Sequence, residues 1–224
     1  MATSRSSPHG PIVVINPNSN ETVTRGLDEA LEAFRFPGSP AIECLTLAEG
    51  PFGLETQMHS DQVVMPLARL VEERSDASAF VIACYSDPGI DACRSVAKVP
   101  VFGMQECGIL TAMARGDQFG VIAITDVSVL RHRKYMRRMG VLDRLAAERP
   151  LDMSVDETAR GENTFDRLIE VGGQLLRDGA NSIVLGCAGM ARHRAPLEAA
   201  LGVPVIEPTQ AAVGMALGAV LASG

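Results

Sequence analysis

The sequence predicts an α/β protein with two pseudo-symmetric lobes, each a mostly parallel sheet flanked by helices, and an active site in the cleft between them. Three observations carry this. Short β-branched runs alternate with amphipathic, helix-length segments from end to end, the pattern of parallel sheets. One unit is written twice: Phe80-Val81-Ile82-Ala83 runs into Cys84 and is followed by Pro100-Val101-Phe102-Gly103, while Ile183-Val184-Leu185-Gly186 runs into Cys187 and is followed by Pro204-Val205-Ile206-Glu207. The openings of the two halves also match, since Ile12–Ile15 followed by Asn16–Ser19 resembles Val121–Ile124 followed by Thr125–Ser128.

In chain order, residues 1–10 are polar with Pro and Gly and are expected to form a mobile tail. Ile12 to Ile15 is a continuous apolar run, as a strand covered on both faces requires, and it stops at Asn16-Pro17-Asn18-Ser19-Asn20. Glu21 to Phe34 has helical spacing, with Val23, Leu27, Ala30, Leu31 and Phe34 on one face, and Ala41 to Leu47 reads as a strand. A helix is predicted over Gln57–Arg74, then the strand that ends at Cys84. A helix is predicted over Ile90–Ala97, with Asp87 as N-cap and Pro88 at the first helical position placing a helix N-terminus just after Cys84, where it would lower the pKa of the thiol. Val101–Gly103 is a strand, and a helix surrounds Cys107–Met113. The second half opens with the strand Gly120–Ile124 and the basic helix Ser128–Met139. It continues with the helix Thr164–Asp178, the strand ending at Cys187, a helix around Pro196–Leu201 and the strand Val205–Ile206. Residues 209–224, rich in Ala, Val, Leu and Gly, are expected to form a helix that packs back on the body. The lobes are therefore expected at 11–115 with 209–224, and at 116–208.

Composition narrows the function. The chain has 224 residues, 46% of them hydrophobic, enough for a packed core. Its formal charge of −7, with Lys and Arg dispersed, offers no basic stripe for nucleic acid or an anionic membrane, so a small molecule is the expected partner. No apolar run approaches the ~20 residues of a membrane span, and no secretion signal is seen, so a cytoplasmic location is expected. The five cysteines show no CxxC spacing, which argues against a disulfide framework or a structural zinc site. No metal and no cofactor is expected.

Ligands of parallel α/β sheets gather at the carboxyl ends of strands, where Asn16, Cys84, Thr125 and Cys187 all fall. A lone free cysteine is most often a small core residue. A matched pair at two strand exits points instead to chemistry, and Cys84 and Cys187 are the candidate catalytic residues. Tyr85, Ser86, Ala188 and Gly189 follow them as candidate binding residues, with Gly189 small enough to open main-chain N–H groups to an anion or enolate. Asn16 reads two ways, as a donor to a substrate carbonyl or as a helix cap. Thr125 and Ser128 also read as donors or caps, with capping favoured for Ser128. Glu55 reads as a carboxylate ordering the entrance or, more commonly for its type, a solvated one. Arg131, His132, Arg133, Lys134, Arg137 and Arg138 are expected on a solvated helix face with a place in an oligomer contact. His193, between Arg192 and Arg194, reads as a group raising the local potential near Cys187 or, with preference, as a solvated surface residue, and Cys44, Cys93 and Cys107 are expected in packing.

Four stretches carry a family resemblance: Val14-Ile15-Asn16-Pro17-Asn18-Ser19; Ile82-Ala83-Cys84 with Ser86-Asp87-Pro88-Gly89; Val184-Leu185-Gly186-Cys187 with Gly189-Met190-Ala191; and Pro204-Val205-Ile206-Glu207 with Ala211-Ala212-Val213. On these the chain resembles the aspartate/glutamate racemase superfamily, and within it the hydantoin and allantoin racemases. The resemblance implies a cofactor-independent racemase in which one thiolate removes a proton from carbon and the opposite thiol returns one. Amino-acid racemases of the superfamily place Asn-Thr after the first cysteine and Thr after the second. Tyr85-Ser86 and Ala188-Gly189 stand there instead, which favours a neutral ring over a free amino acid. Cys84 argues against an arylmalonate-type decarboxylase, which keeps only the second cysteine. A maleate-type cis-trans isomerase, an amino-acid racemase or an arylmalonate-type decarboxylase on the same scaffold and, outside enzymes, a small-molecule binding protein are the alternatives. A homo-oligomer is expected.

Overall fold

A computed structural model describes residues 9–223, so positions 1–8 of the expected tail, and Gly224, lie outside the described residues. Two four-stranded sheets, all parallel, organise the chain. The first contains β1 (Ile12–Asn16), β2 (Ile42–Thr46), β3 (Ala79–Ile82) and β4 (Val101–Gly103) in the order β2-β1-β3-β4. The second contains β5 (Phe119–Ala123), β6 (Leu145–Pro150), β7 (Ser182–Leu185) and β8 (Val205–Ile206) in the order β6-β5-β7-β8. The same strand order twice is the structural form of the repeat. The central strands β1, β3, β5 and β7 are buried at every position, as their unbroken apolar runs demand.

The helices are α1 (Glu21–Ala30), α2 (Gln57–Gln62), α3 (Val64–Glu73), α4 (Ile90–Val96), α5 (Met104–Arg115), α6 (Asp126–Met139), α7 (Val155–Arg160), α8 (Thr164–Arg177), α9 (Arg194–Leu201) and α10 (Pro208–Ala222). The helix expected over 57–74 is broken at Val63. Pro66 has no N–H to give the Gln62 carbonyl, and its ring crowds that carbonyl, so the ladder is interrupted there. The helix expected over 21–34 ends at Ala30 and tightens into a 3₁₀ turn at Glu32–Phe34, just ahead of Pro37 and Gly38.

Two elements are additions to the sequence reading. Strand β6 is half-buried along its length and carries Glu148 and Arg149, an edge strand with neither alternation nor β-branched residues to reveal it. Helix α7 opens with a capping box, Ser154 to Glu157, which was a legible start signal.

One apolar core runs through both halves. Ile12, Val14 and Val81 of the first sheet belong to the same buried cluster as Val121, Ile183 and Val184 of the second, joined through Met104, Ile109 and Ala112 of α5 and Ala212, Val213 and Ala216 of α10. Helix α10 packs on α5 and on β1, β3 and β4, while α5 also touches β5, β7 and β8. The opposite face of the first sheet has its own core with Leu67 and Val71 of α3 and Ile90 and Cys93 of α4. Among the described residues no helix is long and apolar enough to cross a membrane.

Candidate active site

The two cysteines occupy equivalent places because the sheets hydrogen-bond equivalently. The ladder runs one residue past each central strand: Ala83 N–H donates to the Ile15 carbonyl (2.9 Å) and Gly186 N–H to the Ile122 carbonyl (2.8 Å), and the next residue is Cys84 in one case and Cys187 in the other. Gly186 is required there, since a Cβ would stand 2.5 Å from the Ile122 oxygen. Both cysteines line one cavity between the sheets, with Tyr85, Ser128, Arg131 and Ala188 among its walls. All five cysteines are free thiols, with Cys93 and Cys107 buried and Cys44 half-buried.

The thiols have different surroundings. Cys84 Sγ lies 3.9 Å from Ser86 Oγ, and burial pushes its pKa up to about 12, opposed by the Ser86 hydroxyl and the Arg131 guanidinium. The expected helix N-terminus is not beside it. Helix α4 begins only at Ile90, after Gly89 in the left-handed region (φ 69°), and Asp87 caps a different helix. Its carboxylate accepts the N–H groups of Gln105 (2.8 Å) and Glu106 (2.9 Å) at the start of α5, held by an Asp87 backbone at φ 45°. Gly103 leaves room for this, because a Cβ would meet that carboxylate at 2.3 Å. Burial raises the Asp87 pKa to about 7 against those two N–H groups.

Cys187 is the residue that does stand at a helical N-terminus. It caps the 3₁₀ turn Ala188–His193, its Sγ accepting the Gly189 N–H at 3.4 Å and lying 3.6 Å from Thr158 Oγ1 of α7. Burial raises its pKa too, with the Thr158 hydroxyl and the Gly189 N–H opposing. The Gly189 amide thus serves the sulfur and is not open to an enolate, as the sequence reading had it. A Cβ at Gly189 would meet Thr158 Oγ1 at 2.6 Å.

Asn16 is fully buried and spends its amide on Asn18 Oδ1 (2.9 Å), the Asn20 carbonyl (3.2 Å) and Thr24 Oγ1 (2.9 Å), while its Oδ1 accepts Asn18 N–H. It therefore neither lines the cavity nor caps α1; Asn20 is the cap, and Asn18 reaches the cavity. Thr125 pairs with Ser128 Oγ (3.2 Å) and makes no side-chain cap, and Ser128, fully buried, faces the cavity in its place. Ser86 borders a neighbouring groove while touching Cys84. Tyr85 lines the cavity with its hydroxyl buried and unpartnered, and burial raises its pKa.

The basic helix is the largest correction. Ser128, His132 and Met136 form a buried stripe on α6, and of the six residues of the basic cluster only Arg133, Lys134, Arg137 and Arg138 face solvent. Arg131 lines the cavity and donates to the Glu55 carbonyl (2.8 Å), while Glu55 Oε1 accepts the Val155 N–H at the start of α7 (3.2 Å). Glu55 therefore ties the first half to α6 and α7. His132 also lines the cavity, with Nδ1 2.5 Å from Glu148 Oε1. The four-residue spacing of Ser128, His132 and Met136 was the available signal. His193 is buried, stacked on Phe165 at 5.9 Å, and burial beside Arg192 pushes it down to about 4, so it is neutral at pH 7 and supplies no charge to Cys187.

Comparison with known proteins agrees with this architecture. The family model described as Asp/Glu/Hydantoin racemase matches residues 12–216. A hydantoin racemase of Paenarthrobacter aurescens is 34% identical over 214 residues, covering 92% of this chain and 89% of that protein. The allantoin racemase structure from Klebsiella pneumoniae superposes with a TM-score of 0.91 at 28% identity, covering 96% of this chain and 89% of that one. The allantoin racemase structure from Pseudomonas fluorescens does so with a TM-score of 0.89 at 27% identity, covering 95% and 92%.

Proposed function

The chain belongs to the Asp/Glu/hydantoin racemase family and is a racemase, and from that premise we propose that it interconverts the enantiomers of a 5-substituted hydantoin or of allantoin by two-base proton transfer between Cys84 and Cys187. The observation that carries this reading is that two cysteines from matching strand exits line a single cavity. One sulfur, as thiolate, takes the C5 proton; the C5–H pair of electrons moves into the ring as an enolate, and the S–H of the opposite cysteine gives C5 a proton on the other face. The second sulfur is left as the thiolate, so the next turnover runs in the reverse sense.

Electrostatics favour one thiolate at a time. The charge on Cys187 raises the pKa of Cys84, and burial raises both, so a doubly ionised pair is disfavoured and each base faces a protonated acid. Arg131 draws negative charge toward Cys84, while Gly189 N–H and the Thr158 hydroxyl draw it toward Cys187. A neutral ring suits the walls supplied by Asn18, Tyr85, Ser128 and Ala188. Arg131 is the observation favouring a second reading, isomerisation of an open-chain dicarboxylate in the same cavity.

The division into lobes at 11–115 with 209–224 and at 116–208 belongs to the proposal, supported by the two sheets each closing within one segment. Self-association belongs to it as well, supported by Val127 and Leu130, 53% and 75% exposed on α6, and light scattering in solution checks it.

The test is to incubate enantiopure allantoin, enantiopure 5-substituted hydantoins and maleate with the protein in deuterated water. Optical rotation should decay to zero while deuterium enters C5, and maleate should persist. Conversion of maleate to fumarate with no change in hydantoin rotation would establish the second reading instead.

A further inference from the structure

We infer that His132 is a third catalytic residue, donating its Nε2–H to the substrate oxygen on which charge collects as the C5 proton leaves. The inference rests on the two-base reading above for its substrate, and on four observations for the residue. His132 is 1% exposed and lines the cavity that Cys84 and Cys187 share. Nδ1 is 2.5 Å from Glu148 Oε1, with the two side chains 1% and 0% exposed, so Nε2 is the ring nitrogen left for a ligand. No protein group among the described residues bonds to Nε2. The ring is also held in place: Tyr85 packs edge-on at 4.8 Å and 83°, and Gln105 Nε2 donates to the His132 carbonyl at 3.1 Å.

Whether Nε2 gives or accepts a hydrogen bond depends on the net charge of the His132–Glu148 pair. A neutral imidazole donating Nδ1–H to an ionised Glu148 would leave this buried pair net negative, which the burial that raises the Glu148 pKa disfavours. The net-neutral pair has two forms, carboxylate with imidazolium or carboxylic acid with imidazole. Both leave a proton on Nε2. The charged groups facing the pair are Arg131 and Arg133 of α6, the latter acting on Glu148, and Tyr85 faces it as an unionised phenol. Glu148 Oε2 is buried without a partner, as befits a carboxyl whose charge is shared with or given up to the histidine. Nε2–H therefore points a fixed donor into the cavity, the preorganised arrangement that stabilises a forming oxyanion without reorganisation. In a hydantoin the acceptor is the ring carbonyl oxygen adjacent to C5, which takes the electron pair released from the C5–H bond.

The test joins kinetics with a measurement independent of turnover. His132→Phe is made together with Glu148→Leu, so that no carboxylate is left buried and unpaired. The double variant should lower kcat for hydantoin racemisation by about 10²–10³-fold with KM within about threefold, the loss seen when one oxyanion donor is removed. A fall in kcat of less than about tenfold overturns the inference. In parallel, nitrogen-15 histidine labelling of the unaltered protein should show a His132 Nε2 that carries its proton at pH 8; an Nε2 without a proton there overturns the inference even if the variant fails to fold. If the unaltered protein racemises no hydantoin or allantoin, the substrate reading fails by itself, and the nitrogen spectrum still decides where the proton sits.

Discussion

The first and second lobes present their cysteines by the same device and then surround them differently. In both, a central parallel strand passes one ladder bond beyond its end and delivers a sulfur to the cleft. Around Cys187 the supporting groups, Gly189 N–H and the Thr158 hydroxyl, come from its own half of the chain. Around Cys84 the opposing positive charge comes from Arg131 on α6, across the cleft, where its contact with the Glu55 carbonyl holds it. The duplicated part is what backbone hydrogen bonding dictates, and the loops after it have diverged. The groups that stabilise a Cys187 thiolate are thus local, whereas the cation that stabilises a Cys84 thiolate depends on how the halves meet.

Replacing either sulfur is the harshest way to break this comparison. Cys84→Ser and Cys187→Ser should each reduce racemisation by about 10³-fold or more, within the range of acid–base catalysis, with residual deuterium exchange confined to one enantiomer and to opposite enantiomers in the two variants. Polarimetry and proton NMR read both quantities, and full turnover by both variants would sink the two-base assignment.

The strand-end residues that precede each site offer a second contrast. Asn16→Ala removes a fully buried amide with four hydrogen bonds and should cost about 2–4 kcal/mol in chemical denaturation. Thr125→Ala, whose side chain pairs only with Ser128, should cost less than about 1 kcal/mol. Equal costs would mean that the two openings are structurally interchangeable.

The local-versus-remote distinction is sharpened by thiol alkylation. With Cys187→Ser as background, Arg131→Met should slow alkylation of Cys84 by about tenfold, the equivalent of one pKa unit; with Cys84→Ser as background, Thr158→Val should slow alkylation of Cys187 by a similar factor. Exchanging the backgrounds should leave each rate within about twofold, and strong crossed effects would show that the sulfurs share one environment.

The smallest expected effect concerns the second lobe alone. His193 is held near 4 in the folded protein by burial, so between about pH 6.5 and pH 4 the unfolded chain binds a proton that the folded one does not. Stability should fall over that window as pH drops, by about 1 kcal/mol for this partly screened group, and His193→Leu should flatten that part of the profile in thermal melts. An unchanged profile would place His193 in contact with water.

Much of this was legible along the chain. Continuous β-branched runs revealed the buried central strands, and the repeated strand-cysteine unit marked both sulfurs, because strand period and strand ends are written in consecutive residues. Strand β6 was hidden because an edge strand with Glu148 and Arg149 satisfies no hydrophobic pattern, and Pro66 shows that one proline inside a periodic run outweighs the period. The site's polar residues were the least legible: Asn16 and the Gly189 amide turn away from the cavity, while Ser128, Arg131 and His132 turn toward it. Arg131 and His132 sit among exposed cations, and nothing in their neighbours states which of them turn inward.

The sequence by itself determined that two equivalent strand exits each carry a thiol, since backbone hydrogen bonding within a sheet depends on local order. The tertiary structure alone decided what stands around those thiols: that Asp87 caps α5, that Glu55 ties the halves together, and that His132 meets Glu148 inside the cleft. The physical reason is that a polar side chain is directed by the donor or acceptor packed opposite it, and that partner is brought near only by the fold.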